Sequence, residues 1–154
     1  MRIRPGLCSI TFRDLSVDDV VALAVDAGLA GIEWGADRHV PPGSDAGSVA
    51  GRCADAGLTC PSYGTYLFAG QATTGEVDAA CATAVELGAT NLRIWAPGEA
   101  GTADVAAVAD LAAPHGLTIS LEFHPGTRTE TADSTLALLT EADRPNLFTY
   151  WQPD

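Results

Sequence analysis

The chain contains no lysine. All eight of its cations are arginine, set against twenty Asp and Glu for a net charge of −12 over 154 residues. That absence removes Schiff-base chemistry on a lysine, pyridoxal phosphate anchoring and the P-loop lysine together. No basic run occurs, so this acidic surface would repel a nucleic-acid backbone and disfavours an anionic membrane. Only 18% of residues are charged while 47% are hydrophobic, which excludes a disordered chain. The uncharged stretch from Ala56 to Gly75 is interrupted by Pro61, several glycines and many hydroxyls, so it does not read as a membrane span. Behind the charged start Met1-Arg2-Ile3-Arg4 there is no apolar segment of the kind a secretory signal needs.

Other signatures are missing too. Cys8, Cys53, Cys60 and Cys81 form no CxxC pair and match no zinc spacing. Their apolar surroundings are those of buried free thiols, and the expected setting is a reducing, cytoplasmic one. No GxSxG elbow is present to position a nucleophilic serine, and no GxGxxG follows a strand to cradle a dinucleotide.

What the chain does have is a repeat of about thirty residues. Asp26-Ala27-Gly28-Leu29 returns as Asp55-Ala56-Gly57-Leu58, Glu86-Leu87-Gly88-Ala89 and Pro114-His115-Gly116-Leu117, the glycines standing 29, 31 and 28 residues apart. Each glycine closes an Ala-, Val- and Leu-rich helical stretch at the position where a helix end takes positive φ. A short, largely apolar run follows each, as a buried parallel strand requires. The pattern predicts strands near Leu7–Thr11, Gly31–Trp34, Thr59–Ser62, Asn91–Ile94, Thr118–Glu122 and Leu147–Trp151. It predicts helices near Val17–Ala27, Asp45–Ala56, Gly75–Leu87, Ala103–His115 and Ala132–Ala142, with hydroxyl caps at Ser16, Thr102 and Thr131. The class is α/β with a parallel sheet, either an open doubly wound sheet or a (β/α)8 barrel. Length alone favours the open sheet, since a full barrel takes about 250 residues.

Chemistry-bearing residues gather where these strands end. In order they are Arg13 and Asp14; Glu33, Trp34 and His39; Tyr63 and Tyr66; Arg93 and Trp95; Glu122 and His124; Trp151 and Gln152. Parallel α/β folds bind ligands beyond the carboxyl ends of their strands, so this set suggests one rim around a polar ligand with aromatic walls. Glu122 places a carboxylate directly at the mouth of a buried strand, and His124 shares its strand face if the extension continues. Glu33 is a second such carboxylate, for which pairing with an arginine such as Arg93 is the structural alternative. His39 falls on a loop, where functional side chains concentrate. Trp34, Trp95 and Trp151 offer either core area or a stacking face for a polyol. Arg13, Arg38, Arg93 and Arg128 are the cations able to meet a phosphate.

The segments Gly31-Ile32-Glu33-Trp34-Gly35, His39-Val40-Pro41-Pro42-Gly43, Ser62-Tyr63-Gly64-Thr65-Tyr66, Leu121-Glu122-Phe123-His124-Pro125-Gly126-Thr127 and Tyr150-Trp151-Gln152-Pro153 resemble the sugar phosphate isomerase/epimerase family. The resemblance implies a xylose isomerase-like TIM barrel over essentially the whole chain. It also implies metal-assisted proton transfer beside a sugar carbonyl, with a small-molecule sugar or sugar phosphate as substrate. On this resemblance Glu122 is a catalytic acid/base and a ligand to a divalent metal (Mn, Mg, Co or Zn). Gln152 stands where the family commonly places an acidic ligand, which weakens the metal site; Asp154 lies close by. Glu33, Trp34, His39, Tyr63, Trp95, His124 and Trp151 become substrate-binding candidates.

Six strands are two short of the family's eight, so the expected domain is one partial barrel over 1–154 without the last two βα units. Its open sheet edges call for cover, and a homo-oligomer paired through the first and sixth strands is the expected remedy. Two other functions fit less well: a non-catalytic barrel remnant that binds or self-associates, and a DNA-repair endonuclease on the same barrel, which the charge of −12 opposes. A flavodoxin-like open sheet is the alternative fold.

Overall fold

The computed structural model of the chain describes residues 3–152. Its strands are β1 (Gly6–Cys8), β2 (Gly31–Gly35), β3 (Tyr63–Phe68), β4 (Asn91–Trp95), β5 (Thr118–Glu122) and β6 (Leu147–Tyr150). The helices between them are α1 (Val17–Asp26), α2 (Ala46–Asp55), α3 (Thr74–Glu86), α4 (Thr102–Ala112) and α5 (Ala132–Ala142). All strand pairs are parallel and the sheet order is β1-β2-β3-β4-β5-β6. A doubly wound sheet reverses its order at a switch point. This one never does, so the described residues form a six-stranded arc of a (β/α)8 barrel. Strand order thus overrules the argument from length.

The repeat works as its spacing suggests. Gly28, Gly57, Gly88 and Gly116 take φ of 67°, 72°, 72° and 70°, values that stop each helix and turn the chain into the next strand. Helix starts are capped by side chains. Ser16 Oγ accepts from Asp19 N while the Asp19 carboxylate accepts from Ser16 N, and Thr73 with Glu76 repeats the arrangement at α3. Thr131 caps α5 as expected. Thr102 does not cap α4: it is the first helical residue, and Asp104 instead accepts from Gly101 N at 2.8 Å.

Alternation along the strands separates the two faces of the sheet. Ile32, Trp34, Leu92, Ile94, Ile119 and Leu121 are fully buried and form the core beneath the helices with Val20, Val77, Val105 and Leu138. The opposite face, which lines the inside of the arc, carries Cys8, Glu33, Arg93 and Glu122. Two strand predictions need correction. Thr59–Ser62 contributes only an isolated bridge, Gly31 to Thr59, and β3 begins at Tyr63. Pro61 has no N–H to give a ladder, and the true strand is rich in hydroxyls rather than aliphatic side chains. The first strand ends at Cys8, because Ser9–Phe12 turn into a 3-10 helix with Ser9 Oγ accepting from Gly35 N at 2.9 Å.

Candidate functional site

Inside the arc, five strands place side chains against one another, Cys8 from β1, Glu33 from β2, Arg93 from β4, Glu122 from β5 and Tyr150 from β6. Register sets Cys8 beside Glu33, Gly64 beside Arg93, and Glu122 beside Tyr150. Arg93 lies at the centre. Its Nε donates to Glu33 Oε1 at 3.0 Å and its Nη1 donates to Glu122 Oε2. Ser62 Oγ donates to Glu33 Oε2, the Cys8 thiol lies 3.2 Å from Glu33 Oε1, and Gln152 Nε2 donates to Glu122 Oε1 at 3.0 Å. The Tyr150 ring centroid is 5.7 Å from the guanidinium carbon, within cation–π range.

All three charged residues are buried. Burial by itself would lower the Arg93 pKa, but the charges of Glu33 and Glu122 outweigh it and hold the guanidinium above its ordinary value. Burial also pushes the Cys8 thiol and the Tyr150 phenol up to about 12, with the nearby Glu33 charge adding to both. Each is therefore a neutral hydrogen-bonding group at physiological pH. The cluster carries two anions and one cation.

Beyond this network, toward the carboxyl ends of the strands, lies an aromatic wall. Trp95 stands two residues past Arg93 and His124 two past Glu122, with ring centroids 4.7 Å apart, and Phe68 lies 5.9 Å from Trp95. His124 Nδ1 is 2.8 Å from Pro125 O. A carbonyl can only accept, so Nδ1 donates in this contact and Nε2 is the ring nitrogen left free for another partner. Trp95 Nε1 is buried and has no partner among the described residues.

Other candidates are placed elsewhere. Trp34 follows Glu33 on β2 and so takes the opposite face, fully buried against the helices and beside the Cys53 thiol of α2. His39 meets the edge of Trp34 at 5.8 Å and holds Leu15 O at 3.2 Å through Nε2. Tyr63 is fully buried and donates to Val40 O at 2.6 Å. Trp151 is 65% exposed in a groove with Phe123, Leu136 and Leu139 at the β6 edge. The structure thus brings Glu33, Glu122 and Gln152 together, and Trp95 with His124, while Trp34, His39, Tyr63 and Trp151 lie outside that space. Of the four arginines considered for a phosphate, Arg13 pairs with Asp37, Arg38 and Arg128 donate to backbone carbonyls, and Arg93 is enclosed by carboxylates.

Sequence reasoning missed Cys8, Ser62 and Tyr150, and it considered Arg93 only as a phosphate partner or an alternative mate for Glu33. Their shared signal is register: each stands within a residue or two of a carboxylate's level on a neighbouring strand. A cleft of about 470 Å³ opens at the ends of β2 and β3, lined by Asp37, Pro42, Tyr66, Leu67 and Glu76. A second, of about 280 Å³, lies at the N-terminal ends of β1 and β2, with Pro5, Gly31 and Pro61 in its lining, and extends to Cys8, Glu33 and Tyr150.

The pattern of the xylose isomerase-like TIM-barrel family matches residues 21–153. The chain belongs to this family. Among curated relatives it is 29% identical to a 3-dehydroshikimate dehydratase of Bacillus anthracis, over 92% of this chain and 59% of that protein. The chain therefore spans about three fifths of that relative's length. Solved structures share the fold. A D-allulose 3-epimerase from Methylomonas superposes with a TM-score of 0.76 at 22% identity, over 96% of this chain and 62% of that one. A family member from Mycobacterium smegmatis, solved in complex with magnesium, gives 0.71 at 15%, over 94% and 62%.

Among the described residues no three His, Cys, Asp or Glu converge as ligands. Glu122 and Gln152 do meet, but one is neutral, and both Glu122 oxygens already accept hydrogen bonds, one of them from a guanidinium. As they stand, these donors do not fit a divalent ion, which takes several oxygen ligands with anionic charge among them. Among the described residues, no helix is long and apolar enough to cross a membrane.

Proposed function

We propose that this chain carries part of an isomerase- or epimerase-type site for a small polyhydroxylated carbonyl compound, a sugar or sugar phosphate. The observation that carries the reading is Glu122, a buried carboxylate at the C-terminal mouth of β5 with the Trp95–His124 wall just beyond it. That end of the strands is where barrels of this kind hold their substrates. Trp95 supplies an apolar face and His124 Nε2 a free polar ring atom, which suits the mixed surface of a polyol.

The chemistry is removal of a proton from a carbon next to the carbonyl. Glu122 takes the proton, the C–H electron pair moves into the C–C bond, and the carbonyl oxygen receives the displaced pair as an enolate. Delivery of a proton from a donor on the opposite face would give an epimer; delivery to the former carbonyl carbon, with the adjacent hydroxyl proton passing to the enolate oxygen, would give an isomer. Loss of a hydroxide from the next carbon would give dehydration from the same intermediate. Gln152 orients the carboxylate through its 3.0 Å hydrogen bond.

The test needs no knowledge of the product. Ketoses, ketose phosphates and hydroxy keto acids are incubated with the protein in D2O, and the proton beside the carbonyl is followed by NMR. We expect exchange in at least one compound and its loss in Glu122→Gln. No exchange in any of them refutes the assignment.

A second reading, a binding scaffold without catalysis, is favoured by the fact that both Glu122 oxygens are already engaged. It predicts a saturable sugar contact at Trp95, seen in its fluorescence, with no exchange. We also propose a cytoplasmic setting, in keeping with four free thiols, and a second copy of the chain covering the exposed sheet edges.

A further inference from the structure

We propose that Arg93 is the resident cation of the barrel interior, and that its guanidinium closes the Glu33–Glu122 pair to divalent metal ions. The two carboxylates come from β2 and β5, yet both reach the same side chain, Glu33 through Nε and Glu122 through Nη1. Neutral donors take the remaining places: Ser62 on Glu33 Oε2, Cys8 beside Glu33 Oε1, and Gln152 on Glu122 Oε1. Every carboxylate oxygen in the cluster therefore has a partner that an ion would have to displace.

The fold is built around this side chain. Gly64 of β3 lies between Glu33 and Arg93, and a Cβ there would come within 2.5 Å of Arg93 Nη2 and 2.8 Å of Glu33 Oε1. Only glycine leaves the guanidinium its room. On another side the Tyr150 ring stacks over it at 5.7 Å. Glycine and aromatic face together make a fitted berth for a planar cation.

Charge decides the competition. With Arg93 in place the cluster holds two anions and one cation, and adding a divalent ion would leave a buried net positive charge. Without Arg93 the two carboxylates match a divalent ion charge for charge. Burial makes that difference large, because the low local dielectric strengthens each unpaired charge. Arg93 thus performs in this chain the neutralising role that a metal performs between carboxylates. This inference is independent of the carbonyl chemistry above, since it is read by ion binding and not by turnover.

The experiment is a calorimetric and EPR titration of the metal-stripped protein with Mn²⁺ alone. It compares the native chain with Arg93→Met, Arg93→Lys and the double variant Arg93→Met with Glu33→Gln. We expect no Glu122-dependent binding in the native chain or in Arg93→Lys, which keeps the charge. Arg93→Met should gain affinity by at least about tenfold, the gain being lost when Glu33 is also neutralised. Micromolar binding to the native chain that disappears in Glu122→Gln would overturn the proposal, as would an Arg93→Met protein that folds and gains nothing. If Arg93→Met does not fold alone, refolding with millimolar Mn²⁺ replaces the titration. Recovery of a cooperative melt supports the proposal, and failure to recover refutes it.

Discussion

Arg93 Nε donates to Glu33 Oε1 at 3.0 Å although the residues stand sixty positions apart and their strands are not neighbours. The strand between them, β3, passes with Gly64 at the crossing. This is a buried pair extended by Glu122 into a triad, so its members should respond unequally to neutralisation. Arg93→Met leaves two carboxylates without a cation and is expected to cost about 3–5 kcal/mol. Glu33→Gln leaves one balanced pair and should cost far less. Urea midpoints of the two variants check the order, and equal losses would mean that the charges are not coupled.

Gly64→Ala tests the crossing without removing any charge. A methyl group would meet Arg93 and Glu33 inside normal contact distance, and both are held by further partners. The expected loss is about 1–3 kcal/mol, an overpacking cost. Calorimetric melting should show it, whereas Gly47→Ala, with open space around its Cβ, should be neutral or stabilising.

The buried thiols set a pH dependence. Burial raises the Cys60 thiol to about 12 and the Cys81 thiol to about 11, from an ordinary 9.0. Above about pH 9 the unfolded chain loses these protons while the folded chain keeps them, so stability falls as pH rises toward the folded values. Each thiol can remove up to about 1.4 kcal/mol per pH unit in that window. Denaturant midpoints measured across it should decline, and Cys81→Ala should flatten the decline. A flat profile in the native chain would show that the thiols are better solvated than their positions imply.

Leu136 and Trp151 are 66% and 65% exposed and share an apolar groove at the β6 edge. If a second copy covers this edge, Leu136→Lys together with Trp151→Ser should shift the protein to monomer in light scattering. Melting of the dilute protein should hardly change. A native chain that is strictly monomeric at micromolar concentration refutes the pairing.

The helices and most strands were legible because one local unit recurs: a capped start, an aliphatic stripe, a glycine stop and a short buried run. Four of six strands fall close to where that rhythm puts them, and β1 stops early at Cys8. The one misplaced strand is β3, whose Tyr63-Gly64-Thr65-Tyr66 core has little aliphatic character to announce it. Of the candidate site, the positions of Glu122, Gln152, Trp95 and His124 were legible because strand ends can be read from the repeat. Trp34 and Tyr63 lie apart from that cluster because facing depends on one-residue register: the same strands that turn Glu33 and Gly64 inward turn these two toward the helices. Arg93 as the hub was hidden because its partners come from two other strands, and no local pattern records which side chains meet across an arc.

Sequential strand order has a kinetic consequence. Each strand pairs with the next across a segment of nearly constant length, so closure costs the chain about the same entropy at every step. Assembly can then advance unit by unit, with no single long-range closure dominating the rate. The Glu33–Arg93 link departs from that rhythm, since it skips a unit and cannot form until β2, β3 and β4 are aligned. It therefore serves as an internal marker of when the third of those strands has docked.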